Sequence, residues 1–415
     1  MKMKKLFFII FATICYSITS FGQDITIGKR DTVSSTILNQ DRAFSVYLPP
    51  SYNETINQKY PVLYILDGDY NFRYVAGLLE LQGGISELIP ETILIAISGK
   101  GTATYRNNCK PNIEGIEDKG NAEEVAQFIE KELIPYVNAN YKTAHYKILA
   151  GHSVGGLFVI NTALNHPDLF NHYIAISPAL WWGKNAINQV AEKRLSDDKN
   201  FKSSVYISLA NEKGMGVDAF LKLVPSSLKK EVFKYKEFPD ENHNSVGLPT
   251  YQWALGEIYK DWRVEKEYFS SAEELNKHYN RVMQIYGSIF NIPFTNIVYT
   301  HYILKDKPKE LLKVQEAFKA HNPNAFVAFK NYSAGKLIDE QKFEEAALLL
   351  NDAKVVNPNS FELYHTLAKM EWKQNNVNKA LSMIGHAIEL AQSQHARQWQ
   401  INELDETKFL IKQSQ

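Results

Sequence analysis

The sequence predicts an α/β fold with a largely parallel sheet, followed by an all-α helical-repeat domain. Three observations carry this. From about Asp24 to Arg263, short apolar runs alternate with helix-period patterns, the rhythm of strand–helix–strand units. Several of those runs are apolar at nearly every position, as strands covered on both faces require. After about residue 267 the strand signals fade and a 34-residue period emerges. The expected divisions are a leader at 1–22, a sheet domain at 23–266 and a helical domain at 267–415.

The leader is read first. Lys2, Lys4 and Lys5 precede the apolar run Leu6–Ile14, and Ser20-Phe21-Gly22 places small residues where a signal peptidase cuts. The run is too short to span a bilayer and has the layout of a secretory signal peptide, cleaved after Gly22. Cys15 is the alternative, a lipid acceptor, against which the bulky Ile14 before it argues. A secreted or periplasmic location follows, with no integral span in the mature chain. Lys+Arg and Asp+Glu both number 46 in the 415 residues, so no basic excess is present to hold nucleic acid. Of two cysteines only Cys109 lies outside the leader, which excludes an internal disulfide in the mature chain.

Strands are expected at Phe44–Leu48, Pro61–Leu66, Ile93–Ile97, Tyr146–Ala150, Tyr173–Ile176, Val205–Leu209 and from Val232 through Tyr235. Asn121 is placed to cap a helix, with Glu124 as its reciprocal partner. Val125, Phe128, Ile129, Leu133, Ile134 and Val137 form that helix's apolar stripe. A further helix is expected from Val154. In the tail, Ala346, Leu350 and Ala353 recur as Ala380, Ile384 and Ala387, each 34 residues on. Asn322-Pro323 and Asn357-Pro358 punctuate the units. This period resembles the tetratricopeptide repeat, a helix–turn–helix unit whose small residues let paired helices approach.

The chemistry centres on Gly151-His-Ser-Val-Gly-Gly156. A phosphate-binding loop fails on pattern, because no Lys follows the glycines and the first glycine spacing is too long for a dinucleotide loop. Gly151-His152-Ser153-Val154-Gly155 instead matches G-x-S-x-G between an apolar strand and a helix, a strained turn that presents a serine nucleophile. Serine needs a base. His243, in the polar loop Pro239–Val246 after the last strand, is the candidate; His166 and His172 read as structural, and His152 is expected to point away from the serine. The orienting carboxylate is assigned to Glu212, just past the Val205 run, with Asp218 and Asp240 as competitors. The oxyanion donors are the amides of Val154 and of Asp69, in the loop Ile65–Asp69. An EF-hand reading of Asp67–Asn71 fails, since Phe72 and Leu78 occupy the positions that need Gly and Glu.

Leu66-Asp-Gly-Asp69, Gly151–Gly156, Ser177-Pro-Ala-Leu-Trp-Trp182 and His243-Asn-Ser-Val246 together resemble the esterase D / enterochelin-esterase-like group of α/β-hydrolases, over residues from about 30 to 263. The resemblance implies an α/β-hydrolase fold, a Ser153–His243–Glu212 triad, and a substrate pocket flanked by Trp181 and Trp182. Asn107-Asn-Cys-Lys-Pro111 departs from the Arg-Asp-x-x-Pro segment common in the group, with Arg106 in place of the basic residue. The tail resembles tetratricopeptide extensions behind such domains, which points to a protein partner or to self-association. The reading is a secreted serine esterase acting on small-molecule or glycan esters, siderophore esters among them, with no metal or organic cofactor. Acyl transfer by the same residues, or repeat-mediated binding on an inactive hydrolase platform, are the alternatives.

Overall fold

The computed structural model describes residues 25–54, 57–196, 201, 203–287 and 290–414. The expected leader and Cys15 lie outside them. Eight strands form one sheet: β1 (Lys29–Ser35), β2 (Gln40–Tyr47), β3 (Tyr60–Ile65), β4 (Ile93–Ile97), β5 (Thr143–His152), β6 (His172–Ile176), β7 (Ser204–Ala210) and β8 (Phe233–Phe238). Their spatial order is β1-β2-β4-β3-β5-β6-β7-β8. β1 and β2 pair antiparallel, β2 joins β4 antiparallel, and every other neighbour is parallel. This is the sheet of an α/β-hydrolase.

Each predicted run falls in one of β2–β8. β1 was not predicted because Lys29–Ser35 offers one large apolar residue, Val33, and sits at the sheet's edge with half its surface in water. The central strands are apolar throughout because both faces are covered. Leu63, Ile65, Ile148 and Ala150 face one core, while Val62, Tyr64 and Leu149 face the other, the alternation a pleated strand imposes. The helix Val154–Asn165 lies against β5 and β6, on the face that holds Val62 and Tyr64.

Asn121 stands at the N-cap position, yet its side chain makes no capping bond. Its Oδ1 accepts from Asn107 Nδ2 at 2.9 Å, so the predicted reciprocal box with Glu124 does not form. The apolar stripe behind it is present: Val125, Phe128, Ile129, Leu133 and Val137 are all buried.

The tail comprises eight helices among the described residues, from Ala272–Tyr286 to Gln398–Gln413. Pro323–Asp339 packs on Phe343–Val356, and Phe361–Lys373 packs on Val377–Ser393. Ala346, Leu350, Ala353, Ala380, Ile384 and Ala387 are all fully buried, so the 34-residue spacing marks the seams of these helix pairs. Asn322 and Ser360 cap helices, accepting from Ala325 N and Leu363 N. The tail is continuous with the sheet. One apolar cluster runs from Tyr47, Leu63 and Ile148 through Tyr259 and Trp262 to Leu350 and Met370. Aromatic contacts stitch the join: the Tyr146 ring meets Tyr286 edge-on at 4.9 Å, and Trp262 meets Phe290 at 4.8 Å.

Candidate active site

β5 ends at His152 and a helix starts at Val154, leaving Ser153 alone at the turn with φ 57° and ψ −115°. A side-chain-bearing residue is held there only when the surroundings over-determine it. They do: Ser153 N donates to Ile176 O at 2.9 Å, and Ser153 O accepts from Ala179 N at 2.9 Å and from Leu157 N at 3.1 Å. The glycines supply the room. A Cβ on Gly151 would stand 2.5 Å from Gly155 O, and one on Gly155 would stand 2.3 Å from the Tyr105 phenol oxygen. The motif's spacing is thus the steric requirement of the turn.

A cleft of about 410 Å³ opens over this turn. Ser153, Val154, Asp69, Tyr105 and Arg106 line it. Val154 is the first residue of its helix, where backbone N–H groups have no intrahelical acceptor. Asp69 lies in the first turn of the helix Gly68–Leu79, whose N-cap Asp67 is left-handed at φ 55°. Gly68 lets that turn press against β4, since a Cβ would stand 2.4 Å from the Ala96 carbonyl carbon. The Asp69 carboxylate is tied back by Arg30 Nη2 at 2.6 Å, Gly99 N at 3.0 Å and Ser98 Oγ, which fixes the backbone bearing its amide. Burial and the Asp69 charge push the Asp67 carboxyl up.

His243 sits in a turn built by Asn242, whose Oδ1 accepts from Asn244 N and Ser245 N at 2.9 and 3.2 Å. His243 Nδ1 lies 3.0 Å from both oxygens of Glu212. Glu212 follows β7, and Asn211 N donates to Glu241 O at 3.0 Å, joining the two loops. Among the described residues neither Asp218 nor Asp240 pairs with His243. No hydrogen bond joins His243 to Ser153 Oγ. Catalytic hydrogen bonds are commonly long before substrate binds.

His152 is the residue the sequence undervalued. Its ring packs against that of His243, with centroids 4.5 Å apart and the planes tilted by 43°. Burial, reinforced by His243, lowers its pKa to about 4, so it is a neutral ring. It lines the cleft beside Ser153 and meets the ring of the base. A histidine beside a nucleophile serine was the available signal.

Other expectations separate from the cleft. Trp182 is 4% exposed and packs in the core behind the sheet, with Nε1 donating to Asp118 Oδ2 at 3.3 Å. Trp181 is 52% exposed and its amide donates to Met215 O, and neither ring lines the cleft. The turn after β6 sends one ring inward and the other to solvent. Tyr70, Thr102 and Tyr105 line the cleft instead. His166 pairs with Glu123 at 3.1 Å, and His172 is buried against the Tyr146 phenol.

The family described as "Putative esterase" matches residues 35–258. The chain belongs to that family. It is 28% identical over 191 residues to the ferri-bacillibactin esterase BesA of Bacillus subtilis, covering 41% of this chain and 66% of that one. It is also 28% identical over 154 residues to the siderophore triacetylfusarinine C esterase of Aspergillus fumigatus, covering 34% of this chain and 53% of that one. The chain thus spans just under two thirds and about half of the lengths of these relatives. An IroE-like serine hydrolase from Shewanella oneidensis shares the fold with a TM-score of 0.58 at 22% identity, over 71% of this chain and 99% of that one. An uncharacterised protein from Capnocytophaga ochracea shares it over 91% of this chain and 99% of that one, at 15% identity and a TM-score of 0.54. The last match extends into the helical tail.

Proposed function

We propose that this family member is a secreted or periplasmic serine esterase that hydrolyses acyl esters, siderophore esters among them. The single observation that carries the reading is the left-handed Ser153 turn, set beside a His243–Glu212 pair and opening on a cleft of small-molecule size. The names of the relatives support the siderophore class.

Ser153 Oγ attacks the ester carbonyl carbon while His243 Nε2 takes the hydroxyl proton. Glu212 holds Nδ1–H and offsets the imidazolium charge. The carbonyl oxygen becomes an oxyanion that accepts from the Val154 and Asp69 amides. The C–O bond then breaks, and the leaving alcohol takes its proton from His243. Water, deprotonated by His243, attacks the acyl-enzyme and releases the acid and Ser153. His152, neutral and packed against the base, is a positioning residue. The helix pairs are proposed to be tetratricopeptide-like units beginning after residue 266, where a protein partner or a second copy would dock.

A fluorophosphonate probe tests the reading: it should label the wild-type chain at Ser153 and leave Ser153→Ala unlabelled. A wild-type protein that neither labels nor cleaves short acyl or catecholate-siderophore esters would overturn it. Product analysis with added alcohol or sugar acceptors separates hydrolysis from acyl transfer.

A further inference from the structure

We propose that Arg42, which does not line the cleft, is a positioning residue for the oxyanion hole: it holds one end of a peptide group whose other end holds Asp69. The proposal rests on the esterase reading above, in which the Asp69 amide is one of the two oxyanion donors.

Arg42 lies on β2 and is 2% exposed, with its guanidinium carbon 5.9 Å from the centre of the Phe128 ring. Its Nη2 donates to Ser98 O at 3.0 Å, a buried bond. The peptide group that carries Ser98 O also carries Gly99 N, which donates to Asp69 Oδ2 at 3.0 Å. A peptide group is planar, so Arg42 and Asp69 fix its two ends together. Hydrogen bonds made through one such group also strengthen each other. Two further ties converge on the same place. Ser98 N donates to Ala43 O at 3.0 Å, beside Arg42 on β2, and the Ser98 hydroxyl donates to the same Asp69 oxygen. Arg30 holds the other Asp69 oxygen, but its side chain is 61% exposed and screened by solvent. Arg42 is the shielded anchor of the set.

Two observations tie this anchor to the site rather than to the core. A guanidinium is an unfavourable group to bury beside Phe128. Its Nε and Nη1 find no acceptor among the described residues, and burial lowers its pKa, with the Asp69 charge among the groups that oppose the shift. An apolar side chain would fill the same space without that penalty. The chain also turns sharply just after the anchored peptide, with Lys100 at φ 54° and Gly101 at φ 91°. A side-chain-bearing residue stays in the left-handed region only where its neighbours hold it. Gly99 and Gly101 line the cleft, so the Ser98–Gly99 peptide is the root of a strained cleft wall. Without Arg42 that peptide is free to rotate, and it carries the Asp69 carboxylate and the adjoining amide out of line. The loss is felt where charge develops on the carbonyl oxygen, not where the ester first binds.

The test is steady-state kinetics of the full chain on p-nitrophenyl acetate, with inhibition by trifluoroacetophenone, whose adduct with a serine hydroxyl carries an oxyanion. Arg42→Met should lower kcat by about 10–100-fold and leave KM within about twofold. The ketone's Ki should rise by the same factor as kcat falls. Arg42→Lys, whose ammonium donates toward the same carbonyl, should stay within about fivefold of wild type. A wild-type kcat in Arg42→Met, a loss confined to KM, a fall in kcat with Ki unchanged, or a lysine variant as poor as the methionine one would each overturn the proposal. If Arg42→Met does not fold, Arg42→Gln is measured in the same way. A chain that folds with neither would make Arg42 structural and overturn the proposal too. The esterase reading fails separately. A wild-type chain that neither labels with fluorophosphonate nor turns over ester removes both, whereas an active wild type beside an unaffected Arg42→Met removes this proposal alone.

Discussion

The two cavities of this molecule treat their carboxylates in opposite ways. At the cleft, Glu212 is paired with His243, and Asp69 is held by Arg30, Ser98 and Gly99. At the seam, Glu54, Glu91 and Glu362 line a cavity together with Lys59 and Arg397, and burial holds their carboxyls up. The first arrangement spends its charge on orienting protein groups, leaving backbone amides to meet developing charge on a substrate. The second withholds water from its carboxyls, and burial favours their protonated form. Orienting a base and burying an acid are thus distinguishable by whether a carboxyl group is given a partner or a proton.

The sharpest test of the difference is Ser153→Ala. It should reduce ester turnover by about 10⁴-fold or more, as the loss of a nucleophile does, while stability stays within about 1 kcal/mol of wild type. Steady-state kinetics and urea unfolding on one preparation check both halves. Glu212→Gln should follow, with kcat lower by about 10²–10⁴-fold; Asp218→Asn and Asp240→Asn should each stay within about threefold of wild type, and a larger loss in either would move the acid's role there. Gly155→Ala drives a methyl into the Tyr105 phenol and should destabilise the chain by about 1–3 kcal/mol in urea unfolding. His152→Ala removes the ring that packs against His243, and a fall in kcat of about tenfold with KM unchanged is expected, as for the loss of a group that positions the base.

Acid and base should separate the same two regions. Burial lowers His152 and His172 to a pKa of about 4, below the ordinary histidine value of 6.5. The unfolded chain therefore binds protons that the folded chain refuses as pH falls from 6.5 toward 4, and the stability tied to these neutral rings is complete above that window and lost through it. Glu54 has the opposite sign. Its carboxyl is raised from 4.5 to about 8, so its contribution is full below 4.5 and lost as pH rises through 8. Urea unfolding across pH should show both slopes. Glu54→Gln should flatten the alkaline one alone, and His172→Gln should flatten the acid one alone.

What the sequence disclosed follows from how locally each feature is encoded. The central strands were legible because burial on both faces demands apolar residues at every position. The Ser153 turn was legible because its glycines fall in one short run of sequence: Gly151 answers a contact four residues on, although Gly155 answers Tyr105 and Gly156 answers Pro178, both distant in the chain. β1 was not, since a half-solvated edge strand can be written in Lys, Arg, Asp, Thr and Ser. Asn121 misled because a capping residue and a residue bonded across to Asn107 look alike in one dimension. Which of Trp181 and Trp182 goes inward was not legible, because adjacent residues at a bend face opposite ways and nothing in the pair says which ring is buried. The packing of His152 against His243 and the joining of Glu54 to Glu362 depend on segments about ninety and three hundred residues apart, a separation no local pattern records.

The cluster that runs from Tyr47 to Met370 sets an order of events during synthesis. A ribosome that has made only the hydrolase portion has made a sheet whose face is covered in part, by the helices Gly68–Leu79 and Gly247–Ile258, while Tyr286, Phe290 and the tail residues that complete that cover have yet to be translated. The enzyme half is therefore a late-maturing product of its own chain, and a fragment cut at Trp262 would present Tyr146, Tyr259 and their neighbours as a sticky face for chaperones or for another fragment like itself.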